Sequence, residues 1–151
     1  MEFGWEPVEA LLKDASLRDL IAEYWEELSP LKGIVPLDVD YEKMAALEKM
    51  GLHRVWVARD DGALAGLIGF YIQPHINYRS TLFAFDNGHY LSPPYRDKDW
   101  AGIKMWRAAC DALRGMGVKI VVGHDNVVHP LDPFFKRLDF QPRSTLFWRV
   151  L

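Results

Sequence analysis

The stretch from Tyr90 to Val122, YLSPPYRDKDWAGIKMWRAACDALRGMGVKIVV, has the residue types and the order of an anion site. An apolar strand enters a proline-bounded turn, Arg96, Asp97, Lys98 and Asp99 follow, and an amphipathic helix starts at about Trp100. The start of a helix carries unpaired backbone N–H groups at the positive end of its dipole, so its natural ligand is a phosphate or pyrophosphate. Other chemistries find less support. His124, Asp125 and His129 lie close together, but no His-x-x-Glu-His run or cysteine pair accompanies them, and no metal is expected. Neither a Gly-x-Ser-x-Gly elbow nor a Walker loop occurs, which removes the common hydrolase and NTPase signatures. Cys110, the only cysteine, falls in the apolar stripe of its helix and reads as a small core residue.

The elements that must carry this loop follow from periodicity. Leu17, Leu20, Ile21, Tyr24, Trp25 and Leu28 recur at helical spacing with Ser16 as N-cap, and the first third of the chain reads as helical. Asp40 caps a shorter helix through Met44 and Leu47, ended by Gly51 in a left-handed cap. HRVWVARDDGALAGLIGFYIQ is two strands around an Asp-Gly turn. After a loop, PHINYRS, a third strand spans Thr81 to Leu91. The helix from Trp100 to Met116 puts Ile103, Trp106, Cys110 and Leu113 on one face, and Gly117 ends it. VKIVVGH has the β-branched content of a mid-sheet strand. Asp132 and Pro133 start a short helix, and STLFWRVL reads as a closing strand. Trp25, Tyr41 and Tyr78 are expected in the core. One α+β domain over residues 1–151 accounts for the chain.

Bulk properties agree with a globular enzyme or binding domain. The chain has 151 residues, of which 50% are hydrophobic, enough for a core without disulfides. Its longest nearly apolar run, Ala63 to Ile72, is half of the ~20 residues a membrane-spanning helix needs, so no membrane contact is expected. The N-terminal stretch has neither a basic n-region nor a small-residue cleavage site, and a cytoplasmic location is the default expectation. A net charge of −3 gives no general attraction for nucleic acid. The apolar TLFWRVL end could pair with a neighbour's strand edge, which makes a homodimer conceivable.

This order of elements, with the loop and the downstream FFKRLDF, resembles the GCN5-related N-acetyltransferase (GNAT) family over nearly the whole chain. The family's loop reads Arg or Gln, two residues, Gly, one residue, then Gly or Ala; Arg96, Asp99 and Ala101 fall on those places, after LSPPY, which is similar to a Val-x-Pro-x-Tyr run. FFKRLDF is similar to Tyr-x-x-x-Gly-Phe, with Phe135 at the tyrosine, Asp139 at the glycine and Phe140 at the phenylalanine. The resemblance implies a splayed mixed sheet flanked by helices that holds acetyl-CoA between the third and fourth core strands. The pantetheine would pair with the backbone around Leu91, and the pyrophosphate would lie on the amides from Asp97 to Ala101, Lys98 and Trp100 included. Asn126 would touch the cofactor, and Phe135 would stand where the family has an acid for the departing thiolate.

The function implied by this resemblance is direct transfer of an acetyl group from acetyl-CoA to an amine of a small molecule or protein, which needs a base for the ammonium proton. In the family that base often lies on the strand before the loop. Strict alternation puts Phe85, Asn87, His89 and Leu91 on one face and Asp86, Gly88 and Tyr90 on the other. His89 then shares the cofactor side, and Asp86 reaches it only if a bulge, for which Gly88 is suited, shifts the register. The alternative is a GNAT-like binding module that has lost catalysis, to which Asp99 and Phe135 both point.

Overall fold

A computed structural model of the chain describes residues 1–127 and 129–151. Five strands form one sheet in the order β1-β2-β3-β4-β5: β1 (Glu2–Glu6), β2 (His53–Asp60), β3 (Ala63–His75), β4 (Tyr78–Leu91) and β5 (Ile120–Val122). The first four are antiparallel, and β5 runs parallel to β4. Asp61 and Gly62 both take positive φ, as the tight β2–β3 turn requires.

One face of the sheet carries α1 (Val8–Leu11), α2 (Ser16–Leu28) and α3 (Tyr41–Lys49), packed through Val8, Leu11, Leu17 and Leu20 onto Val55, Val57, Leu64 and Tyr90. The other face carries α5 (Ala101–Gly115) and α6 (Asp132–Lys136), whose Met105, Trp106, Ala109, Leu113 and Phe135 close over Ile68, Phe70 and Ala84. A single turn, α4 (Pro93–Arg96), joins β4 to α5. Trp106, fully buried, touches the rings of Phe70, His89, Phe135 and Phe140 and thereby fixes α5, β4 and α6 together.

Most local expectations hold for local reasons. Asp40 Oδ1 accepts the Lys43 N–H at 2.8 Å, Gly51 and Gly117 are left-handed where α3 and α5 stop, and Pro133 lies in the first turn of α6. Others are corrected. The N-terminus is not helical throughout: Glu2–Glu6 is an edge strand whose role is set by its partner β2, at positions about fifty residues away. The N-cap of α2 is Ala15, while Asp14 Oδ1 accepts from both the N–H and the hydroxyl of Ser16. PHINYRS is a hairpin, with β3 and β4 pairing as far as His75 and Tyr78. Tyr78 is 57% exposed and outside the core.

The C-terminal half of the sheet differs most. Only Ile120–Val122 of VKIVVGH pair, and β5 lies at the edge rather than the middle. STLFWRVL forms no strand, and Leu146, Phe147, Trp148 and Val150 are exposed. Strand preference of such residues depends on a pleated surface to pack against, and here the stretch has none.

Candidate functional site

Pairing between β4 and β5 covers only Phe83–Phe85 with Ile120–Val122. From Asp86 to Leu91, β4 continues without a strand partner on that side among the described residues, so the sheet opens into a split. Both regions singled out by the sequence border it.

The first is the strand itself. Gly69 is opposite Gly88 and Phe70 is opposite Asp86, so Asn87 is an extra residue in β4. Ile68 and Phe70 both point into the α5-side core, and their partners His89 and Asp86 therefore share that face. The bulge overturns strict alternation for Asp86. Gly88 makes it possible with φ +153°, a region open essentially to glycine alone.

His89 Nδ1 lies 2.6 Å from Asp86 Oδ2. A carboxylate accepts and does not donate, so the neutral tautomer that fits this contact has its hydrogen on Nδ1 and its lone pair on Nε2. Asp86 is 1% exposed and fully engaged: Oδ1 accepts the Gly88 N–H at 2.7 Å, and Oδ2 also accepts the His124 N–H, across the split, at 3.3 Å. The edges of the Trp106 and Phe135 rings hold the imidazole in place. Beside the bulge stands Tyr24 of α2, whose hydroxyl pKa is raised by burial and then by the Asp86 charge.

The second region is the turn into α5. Asp99 and Trp100 take φ of 50° and 60°, and Trp100, the N-cap, makes no side-chain cap bond. A positive φ is tolerable for aspartate but is an outlier for tryptophan, the sort of strain that persists at working sites. The Lys98 and Ala101 amides donate to Tyr95 O and Lys98 O. Among the described residues, the amides of Asp99, Trp100, Gly102 and Ile103 find no backbone acceptor and are available to an anion. Ala101 and Gly102 keep the approach low; a Cβ on Gly102 would already meet the Phe134 ring at 3.3 Å.

The charged side chains of this turn are otherwise occupied. Arg96 donates through Nη1 and Nη2 to both Glu27 oxygens at 2.7 Å and through Nε to the Leu91 carbonyl at 2.7 Å, with its guanidinium 5.1 Å from the centre of the Tyr90 ring. Tyr90 Oη donates to the same Glu27 carboxylate at 2.7 Å. The Arg96 charge and hydrogen bonds hold the Glu27 pKa below the usual range, and burial followed by Glu27 raises that of Tyr90. Asp99 is not the helix cap; its carboxylate, 82% exposed, pairs with Lys104. Lys98 reaches Asp60 at 3.5 Å over the Tyr95 ring, Asp97 is exposed, and Trp100 stacks under Arg137. Exposed pairs of this kind contribute ~0–1 kcal/mol, whereas the forked Arg96–Glu27 contact is geometrically fixed.

Leu91 is buried at the end of β4, with its carbonyl taken by Arg96. Asn126 Nδ2 donates to Leu28 O at 2.8 Å and so ties the segment after β5 to the end of α2. Phe135 lies against Gly123, where a Cβ would come within 2.6 Å of its ring. Glu23, which accepts from Ser92 Oγ, Glu27 and Tyr24 escaped sequence reading, because their partners are up to 69 residues away and α2 offers only an ordinary polar face. A groove of about 590 Å³ lies beyond them, lined by Trp25, Lys32, Ile34 and Val35. Among the described residues no group of three His, Cys, Asp or Glu could hold a metal ion, and no helix is long and apolar enough to cross a membrane.

Comparisons with known proteins agree with this architecture. A model of the Acetyltransferase (GNAT) family matches residues 16–140. No curated protein sequence matches. Among solved structures, an aminoglycoside acetyltransferase from an uncultured soil metagenomic sample is similar at a TM-score of 0.75 and 15% identity, over 99% of this chain and 95% of that one. The glucosamine-6-phosphate N-acetyltransferase of Arabidopsis thaliana is similar at a TM-score of 0.72 and 15% identity, over 99% of both chains. The ribosomal-protein-alanine N-acetyltransferase of Brucella melitensis biovar Abortus 2308 reaches a TM-score of 0.67 at 16% identity, over 100% of this chain and 99% of that one. At such identities the likeness speaks for the fold.

Proposed function

The chain belongs to the acetyltransferase (GNAT) family, and from that membership we propose that it transfers an acetyl group from acetyl-CoA to a primary amine in the cytoplasm. The carrying observation is the Asp86–His89 pair beside the sheet split, one turn of chain from four unpaired amides. The residues fit the co-substrate: the amides of Asp99, Trp100, Gly102 and Ile103 suit a pyrophosphate, and the exposed Asp99 carboxylate is drawn aside by Lys104. Bound acetyl-CoA supplies an activated thioester.

His89 Nε2 accepts the proton of the acceptor's ammonium, which frees the amine lone pair for attack. Asp86 fixes the tautomer and stabilises the imidazolium that forms, a buried carboxylate's usual service to a histidine base. Phe135 has no proton to give. His89, once protonated, is the group of this chain suited to return a proton to the departing sulfur.

Calorimetry with acetyl-CoA and the pH profile of kcat/KM for His89→Gln test this reading. Binding is expected, together with a fall in kcat/KM of ~100-fold or more, the low end for losing a general base. An unchanged rate would remove His89 from the role. No binding at millimolar acetyl-CoA would remove the enzyme reading and leave the binding module, to which Phe135 points.

A further inference from the structure

Gly88 permits the bulge in β4 but does not choose which residue is left over. Moved back by one place, the bulge would set Phe85 and Asp86 together opposite Tyr71 and Asn87 opposite Phe70, in the α5-side core, and Asp86 would turn to the α2 face. Asp86 and Asn87 have the same shape and differ in charge, so the two registers differ in what each side chain meets. On the α5 side the Asp86 carboxylate accepts from Gly88, His89 and His124. On the α2 side the Asn87 amide lies over Gly69, where a Cβ would overlap Asn87 Oδ1 and stand 3.1 Å from Cγ. Gly69 is buried and its φ is not positive, so this position is glycine for space and not for backbone freedom. Beside it on the same face is His53, 1% exposed, with neither ring nitrogen hydrogen-bonded among the described residues. The Tyr71 ring stands 5.3 Å from the imidazole, and the Asn87 amide and the Glu48 carboxylate are the polar side chains that bear on it. Burial lowers the His53 pKa and keeps the ring neutral. A neutral imidazole has one donor and one acceptor, and an amide, unlike a carboxylate, can answer either.

We infer that Asn87 is a positioning residue: seated in the gap at Gly69 and facing His53, its amide pins the bulge in the register that turns Asp86 to His89. The consequence for catalysis rests on the acetyltransferase reading, whereas the pin belongs to the free protein. In the slipped register a carboxylate would come to the α2 seat, against a neutral ring that already feels the Glu48 charge. The amide would pass to the α5 side and turn its own N–H groups toward the donors that Asp86 now satisfies. Both exchanges leave buried polar groups unmatched, so their cost falls on the slipped register.

The test follows the His89 ring nitrogens of the full chain in long-range proton–nitrogen NMR spectra, without acetyl-CoA and at a pH where the ring is neutral; acetyl-CoA binding is measured separately by calorimetry. In the native chain the hydrogen is expected on Nδ1. Asn87→Ala empties the seat without a clash, and Gly69→Ala fills it. In each variant the ratio of the Nδ1–H to the Nε2–H form is expected to fall by about tenfold or more, because Asp86 no longer holds the ring. A merely structural role would lower the melting temperature and leave the tautomer of the folded chain unchanged. If Gly69→Ala does not fold, Asn87→Ala decides alone. A folded Asn87→Ala chain that keeps the native ratio, or a native chain with its hydrogen on Nε2, would overturn the inference and leave the register to Gly88. If the tautomer shifts as expected but the native chain does not bind acetyl-CoA, the pin stands and acetyl transfer falls. Acetyl-CoA binding with an unmoved tautomer would sink the pin and keep the transferase.

Discussion

On the proposed reading, residues 95–103 offer an anion their backbone, whereas residues 86–89 offer a proton acceptor made of two side chains, and the regions tolerate change differently. In the turn, Asp99 stands at the position where the family pattern has glycine, yet its φ is 50° and its carboxylate is turned out to Lys104, so the amides stay open. A site made of N–H groups asks for a chain path, and several residue types can follow one path. In the bulged strand, everything depends on one extra residue. Were Asn87 drawn into the regular pleat, Asp86 would point to the α2 face and His89 would lose its partner. Backbone sites drift in sequence, while side-chain sites drift only with their register.

The largest expected effect separates the two regions outright. Asp86→Asn replaces an acceptor with a group that can also donate, so the His89 tautomer is no longer enforced. A fall in kcat/KM of ~100-fold or more is expected, with acetyl-CoA affinity by calorimetry within threefold of the native chain. Equal losses in both would mean that strand and turn are one unit.

Gly88→Ala attacks the bulge itself. A Cβ at this position has room, since its nearest neighbour is Tyr24 Oη at 3.6 Å, and the cost is conformational. Urea unfolding should lose roughly 1–3 kcal/mol, and a smaller loss would indicate that the bulge can migrate.

Glu27→Gln probes the turn from outside. It removes the anion that engages Arg96, and acetyl-CoA should bind about fivefold tighter, near 1 kcal/mol. Weaker binding would identify the Glu27–Arg96 fork as a brace that the turn requires. The same pair sets a pH dependence. Because the folded-state pKa of Glu27 is lowered by Arg96, its contribution is complete above the ordinary glutamate value of about 4.3 and is lost as pH falls through the lowered one. Melting temperatures of the native and Glu27→Gln chains should therefore differ at pH 6 and converge near pH 3.

Asp99→Gly is the smallest change. Restoring glycine removes an exposed charge already paired with Lys104, so the dissociation constant should drop by less than about threefold. A gain of tenfold or more would show that Asp99 faces the bound phosphates.

The chain's own order of residues determined what depends on neighbours within a few positions. Caps and stops at Asp40, Gly51 and Gly117, the Asp61–Gly62 turn, the amphipathic α5 and the loop that enters it are all local, because helix ends and tight turns are satisfied by residues three or four away. His89 and Asp86 were legible as candidates by residue type, and Gly88 as the place where a bulge could form. Only the tertiary structure decided that a bulge puts both on one face, that Glu27 and not a free approach lies before Arg96, that Glu2–Glu6 is a strand, and that the C-terminal LFWRVL stretch is not one. The bulge, the Glu27–Arg96 fork and the edge strand depend on partners 16 to 69 residues away, and a strand, unlike a helix, draws its hydrogen bonds from elsewhere in the chain.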